Sequence, residues 1–265
     1  MFRLILTAAL TVSIWDLSAP TAAYANHCLA YAQQTPGLVP VAFSNVQGAD
    51  SVEITYVGHS TFRLRTPAGV VIATDYAGYA GGGPAPTIAT MNHAHETHYT
   101  DFPDPDIEYV LRGWNPKGGP AEVDLKVGDV QIRNVPTDIR LWGETFEPDG
   151  NSIFIFEVAE LCIGHLGHLH YKLNAEQLAL VGRLDIVFAA VDGSYTMATP
   201  SMVEVLKDLR ASLVIPMHFF GGESLGEFLA GMREDFDIRI EKSASIEVSL
   251  KTLPHRPTVL VLPPY

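Results

Sequence analysis

Thr90-Met91-Asn92-His93-Ala94-His95-Glu96-Thr97-His98 places three histidines within six residues. His93 and His95 are two apart, so on an extended segment they face the same side. His95 and His98 are three apart and come together if the chain turns helical there. A strand running into such a turn would let all three converge on one or two ions. Imidazole suits zinc, copper, iron and nickel better than calcium or magnesium.

Most of the chain's ten histidines fall in short groups of this kind. In Ile163-Gly164-His165-Leu166-Gly167-His168-Leu169-His170, glycines let the backbone bend at the end of a buried strand. His168 and His170 share a side if extended, with His165 placed to support a ligand. Val214-Ile215-Pro216-Met217-His218 ends an apolar strand on a histidine. Alone it reads as structural; beside two other groups that need a partner it reads as a ligand. Gly58-His59-Ser60 and Thr74-Asp75-Tyr76 also follow strands. Asp75 could orient a ligating imidazole through its distal N–H, and His59 could contact substrate or the same network. A turn or capping role fits each equally well.

Around these groups the pattern is strand-rich. Alternation marks Val52–Val57 and Thr61–Arg65, and Gly69–Thr74 reads as a more buried strand. Further strands are expected over Glu108–Arg112, Val123–Val127, Val130–Val135, Ser152–Val158, Leu161–Ile163, Ile186–Val191, Leu213–Pro216, Ile246–Leu250 and Thr258–Leu262. Three helices lie among the later ones. The first is capped by Asn174, with Gln177 placed for a capping box, and runs to about Gly182. Ser201–Ala211 carries an apolar stripe, and the third runs from Glu223 to about Glu234. Such an order suggests layered sheets with helices outside, an α+β fold in one domain over 51–265.

A hydrophobic fraction of 47% with 18% charged residues permits a substantial core. A net charge of −13 argues against nucleic acid and anionic membranes as partners and says nothing positive about substrate. Met1-Phe2-Arg3, an apolar run from Leu4 to Trp15 and Ala23-Tyr24-Ala25 have the order of a secretory signal peptide over 1–25. The run is short of the roughly 20 residues a span requires. The expectation is a periplasmic or secreted protein with no membrane contact once the leader is removed. Residues 26–50 read as an irregular lead-in, broken by Pro36, Gly37, Pro40 and Gly48. The two cysteines, Cys28 and Cys162, could pair in an oxidising compartment, while a buried free thiol suits Cys162 as well.

Taken in order, Tyr56-Val57-Gly58-His59-Ser60-Thr61-Phe62, Thr74-Asp75, His93–His98, Asn151-Ser152, His165–His168 and Ile215-Pro216-Met217-His218 resemble the metallo-β-lactamase superfamily. The likeness is greatest to its ascorbate-6-phosphate lactonase-like branch. That resemblance implies a four-layer αββα sandwich with a metal site at one edge between two sheets. It implies His93, His95, His98 and His218 as ligands. Thr97 stands where the family motif has an aspartate, and His168 stands where a bridging aspartate is expected. After Val135-Pro136-Thr137, where a further histidine belongs, the chain has Asp138-Ile139-Arg140. A largely neutral ligand set holds two adjacent dications poorly. One metal, or an unusual pair with His168 filling the gap, is the reading that follows.

The activity expected from this resemblance is metal-dependent hydrolysis of a small-molecule substrate, an ester, lactone, amide or phosphodiester, by an activated water. Zinc is the expected cation, one or two ions, with manganese or iron as alternatives. Glu96 and Asp138 are the nearby carboxylates that could handle its proton. The competing reading is a noncatalytic metal- or ligand-binding protein on the same fold.

Overall fold

The computed structural model describes residues 27–30, 51–93, 95–141 and 146–265. The expected leader lies outside them, as does the lead-in apart from a single helical turn, α1 (His27–Ala30). The first half of the chain forms β1 (Val52–Gly58), β2 (Thr61–Arg65), β3 (Val71–Ala73), β4 (Ile88–Met91), β5 (Tyr109–Arg112), β6 (Asp124–Val127), β7 (Val130–Arg140) and β8 (Phe146–Val158). The second half forms β9 (Leu161–His165), α2 (Ala175–Val181), β10 (Ile186–Ala190), α3 (Thr199–Leu209), β11 (Leu213–Met217), α4 (Gly222–Met232), β12 (Asp237–Ile240), β13 (Ser245–Val248) and β14 (Thr258–Val261).

These strands make two sheets. One has six strands in the order β13-β1-β2-β3-β4-β5; the other has eight, β12-β14-β11-β10-β9-β8-β7-β6. Period-2 alternation decides what faces what. Val52, Ile54, Phe62, Leu64, Ile72 and Ile88 point from the smaller sheet toward Ile132, Phe154, Phe156, Ile163, Phe188 and Ile215 of the larger. Phe62 and Phe188 stack across the gap with ring centroids 4.0 Å apart, a contact worth about 0.5–1.5 kcal/mol beyond the area it buries.

The larger sheet is buried on its second face too. Val187, Ala189 and Val214 pack against Met202, Leu206 and Phe228 of α3 and α4. This explains why β10 and β11 read as unbroken apolar runs: parallel strands covered on both sides need no polar face. On the outer face of the smaller sheet, Ala73, Ala89 and Met91 are covered by Tyr76, Ala80 and Ile107 from connecting loops. The result is the expected α+β sandwich of two packed sheets; among the described residues the helical layer lies on the larger sheet, and connecting loops take its place on the smaller one.

The reading of α2 holds in detail. Asn174 Oδ1 accepts from Gln177 N, and the Gln177 side chain returns to Asn174 N, a full capping box. The cysteines pair: Cys28 and Cys162 form a disulfide with Cα atoms 5.9 Å apart.

Candidate metal centre

Every histidine or carboxylate of the centre sits just past the end of a strand. Asp75 follows β3, His95 and His98 follow β4, His168 follows β9, Asp192 follows β10 and His218 follows β11. β3, β4 and β5 run parallel, as do β9, β10, β11 and β14, so these ends collect along one edge of the sandwich. Open parallel sheets place ligand sites at such an edge. The two sheets are tied together there: His218 N–H donates to His59 O at 2.7 Å, and the Tyr56 hydroxyl donates to the same carbonyl at 2.9 Å. His59, Asp75 and His218 adopt positive φ of 54°, 41° and 55°. Such left-handed positions cost non-glycine residues about 1 kcal/mol or more each, and they gather at sites held by their surroundings.

His95, His98, His168 and His218 converge, with one nitrogen from each lying within 4.8 Å of the others. On the buried side, His98 Nδ1 donates to Asp75 Oδ2 at 2.8 Å and His218 Nδ1 donates to Asp192 Oδ1 at 3.1 Å. Each ring therefore presents an Nε2 lone pair, and the two Nε2 atoms face each other at 3.2 Å. Two buried acceptors with no proton between them are an unsatisfied pair, and a cation resolves it. Soft nitrogen donors of this kind suit a transition metal, so the residues present fit such an ion.

The carboxylates are themselves held ionised. Burial alone would raise the Asp75 pKa, but the neighbouring His165 and His98 rings and the hydrogen bonds from His98 and Asn92 outweigh it. Burial likewise opposes the charge on Asp192, and the hydrogen bonds from His218, Thr196 and Ser194 hold its pKa well below the ordinary range. Asn92 Nδ2 donates to Asp75 Oδ1 at 2.9 Å while its Oδ1 accepts from Ser152 N at 2.8 Å, bridging the sheets.

The second side is built differently. His95 Nδ1 donates to Thr97 Oγ1 at 2.8 Å, and Thr97 Oγ1 reaches His59 Nε2 at 3.0 Å. His95 Nε2 then faces His168 Nε2 at 2.9 Å. The Arg140 backbone N–H donates to His170 Nδ1, so neutral His170 carries its proton on Nε2 and donates it to His168 Nδ1 at 2.6 Å. In this state His168 keeps its own proton on Nε2, pointed at His95, and offers a cation a lone pair there only once that proton has moved. Asn151 fixes the His168 loop, its Oδ1 accepting from His168 N at 2.8 Å. Gly167, at φ 60°, passes so close that a Cβ would collide with Asn151 and Asn92.

Burial first, then repulsion by neighbouring imidazoles, lowers the pKa of His95 and His59 to about 4. Burial and the Arg140 charge lower His170 to about 4 as well. His168 is pushed further down by burial and by the rings of His98 and His218. Neutral rings are what a cation needs. This side opens into a cavity of about 360 Å³ lined by His95, His168, His170, Ile139, Arg140 and Tyr195.

Three sequence expectations change. His93 lies outside the group: its Nδ1 meets Glu147 Oε1 at 3.2 Å and its ring stacks on Trp114 with centroids 4.9 Å apart. Same-side alternation requires extended chain, but the segment bends after β4 and closes a turn through His98 N–H to His95 O at 2.9 Å. That turn joins His95 to His98 and leaves Glu96 exposed, outside the group of four converging imidazoles. Asp138 lies within β7, where it accepts from Asp149 N at 3.0 Å. Asp75 braces His98, and His59 packs on His218 with centroids 4.2 Å apart. His165 is also outside the group, spending both nitrogens on Ser60 O and Gly167 N. Asp192 and the supporting role of His170 were missed. The signal for Asp192 was available: a carboxylate before Gly193, directly after an apolar strand.

A family model described as a β-lactamase superfamily domain matches residues 53–218. A UPF0173 metal-dependent hydrolase of Methanoculleus marisnigri is 25% identical over 214 residues, spanning 75% of this chain and 93% of that protein. One from Anaeromyxobacter dehalogenans is 25% identical over 237 residues, spanning 74% and 83%. A solved structure from Thermotoga maritima, described as a Zn-dependent hydrolase of the metallo-β-lactamase superfamily, superposes with TM-score 0.59 at 23% identity, covering 80% of this chain and 98% of that one. The chain therefore belongs to the β-lactamase superfamily domain family, with the metallo-β-lactamase fold.

Proposed function

We propose that this chain is an exported metal-dependent hydrolase acting on an ester, lactone, amide or phosphodiester of a small molecule, with zinc as its cation and manganese or iron as alternatives. The observation that carries it is the facing pair of Nε2 atoms on His98 and His218, each ring bonded through Nδ1 to a buried carboxylate. The metal-dependent hydrolases it is similar to support the same reaction class. A bound divalent cation supplies Lewis acidity toward a carbonyl or phosphoryl oxygen and toward water at neutral pH.

The chain's own residues bind and orient. Asp75 and Asp192 keep the Nδ1 protons of His98 and His218 in place, Thr97 does so for His95, and His170 orients His168. His59, held neutral well below physiological pH, packs the site and makes a poor general base at pH 7. Ile139, Leu141 and Tyr195 give the cavity an apolar wall for the substrate body. The Cys28–Cys162 disulfide supports an oxidising compartment, periplasmic or extracellular, as the leader-like first 25 residues do.

One observation favours the noncatalytic alternative: both carboxylates at the centre are committed to imidazole N–H groups, so neither is free to act as a base. Elemental analysis of the purified mature protein, with a panel of ester, lactone, amide and phosphodiester substrates, separates the two. Stoichiometric metal with turnover that disappears in His98→Ala/His218→Ala is expected. Metal without turnover supports the alternative, and a folded protein that takes up no metal sinks the hydrolase reading and the metal-binding form of the alternative. A reporter fused behind residues 1–25 that stays inside the cell would overturn export.

A further inference from the structure

Arg140 ends β7 at the wall of the cavity, and its guanidinium is only half used. Nη2 donates to the backbone carbonyls of Ser194 at 2.8 Å and Thr196 at 3.2 Å, which fixes the plane of the group. Nε and Nη1 meet no acceptor among the described residues, and among these no carboxylate pairs with Arg140. The acid in the adjoining loop, Asp192, is occupied by His218, Thr196, Ser194 and Tyr195. Tying down the 194–196 loop needs Nη2 alone, so the remaining donors serve no structural bond among the described residues.

A guanidinium stays charged at every working pH. Here it shares the cavity with His95 and His168, while Ile139, Leu141 and Tyr195 line much of the rest. Tyr195 is 56% exposed and lies 5.6 Å from Phe220, itself 62% exposed, so an aromatic pair continues the apolar wall outward. A held cation that pairs with no carboxylate among the described residues, in a chain of net charge −13, makes a local site for an anion. The geometry points to a substrate that carries a carboxylate or phosphate on a short apolar body, its anion held by Arg140 while its scissile group faces the imidazoles. This assignment rests on the hydrolase reading of the centre.

Hydroxamates test it without turnover, because the metal-seeking head is the same in each. Zinc-loaded protein is titrated calorimetrically with butyrohydroxamate, with succinate monohydroxamate and with its phosphonate counterpart. Either charged probe should bind about tenfold or more tightly than the neutral one, the range of a charge-assisted hydrogen bond. The stronger of the two tells carboxylate from phosphate. In Arg140→Met the ratio of charged to neutral probe affinity should fall to about one, whatever the loss of the 194–196 contacts does to all three affinities together; Arg140→Lys should keep part of the preference. Rising salt should erode it in the wild-type protein, a comparison that does not depend on any variant folding. Equal affinity for all three probes, binding of none, or a preference that survives in Arg140→Met overturns the assignment. Failure of the hydrolase reading shows elsewhere, as absent turnover in the substrate panel with these affinity ratios intact.

Discussion

The two halves of the centre solve one problem with different chemistry. His98 and His218 are fully buried and each leans on an ionised carboxylate. His95 and His168 face the cavity and lean on a threonine and on another imidazole. A carboxylate partner fixes the tautomer and makes the ring a stronger donor; a hydroxyl or a neutral ring fixes orientation with less effect on basicity. The buried half is thus the anchor, and the open half is the part that can adjust as a substrate enters.

The largest break in this contrast comes from the anchor. His98→Ala/His218→Ala should reduce bound metal to background after dialysis, by elemental analysis; retained stoichiometric metal would show that the open half suffices. Asp192→Asn keeps the rings but removes a charge, and should weaken metal affinity by about 10–100-fold in a chelator competition. The matching change on the open side, Thr97→Val, removes a neutral hydrogen bond and should weaken affinity only about threefold to tenfold. Equal losses in Asp192→Asn and Thr97→Val would erase the distinction. His93→Ala should leave metal affinity where it was, since His93 sits on Trp114; a drop would return it to the ligand set.

Acid should act on the open half in a graded way. His95 and His59 titrate near 6.5 when unfolded and near 4 when folded. Between those values the unfolded chain binds more protons, so their contribution to stability is whole above about pH 6.5 and is lost as pH falls toward 4. Denaturation midpoints of metal-free protein should fall over that window, and the slope should flatten in a His95→Gln/His59→Gln variant. An unchanged slope would mean that these rings are not held neutral by the fold.

Much of the fold was legible because it depends on local pattern. The alternation in β1 and β2, the apolar runs of β10 and β11 and the Asn174–Gln177 box all became what they signalled. Ile88–Met91 and Asp237–Ile240 escaped, although the equally short β5 and β6 did not. β7 runs on past Pro136 to Arg140, where β6 no longer pairs with its other edge and a missing N–H is tolerated. In the centre, His95, His98, His168 and His218 could be picked out by spacing and strand ends. The exclusion of His93 could not, because a bend after Met91 is set by packing against the second sheet. Asp192 and Arg140 belong to the centre through contacts that cross between strand ends, which no linear pattern carries.

The disulfide also bears on how the protein is made. Cys162 stands at the start of the strand whose far end leads into the His168 loop, and its partner lies 134 residues back along the chain. Protein produced in a reducing cytosol would lack this staple, so a low metal content in such a preparation would report on its redox history before it reported on the ligands. Refolding under oxidising conditions, ahead of any metal titration, is the practical order of work.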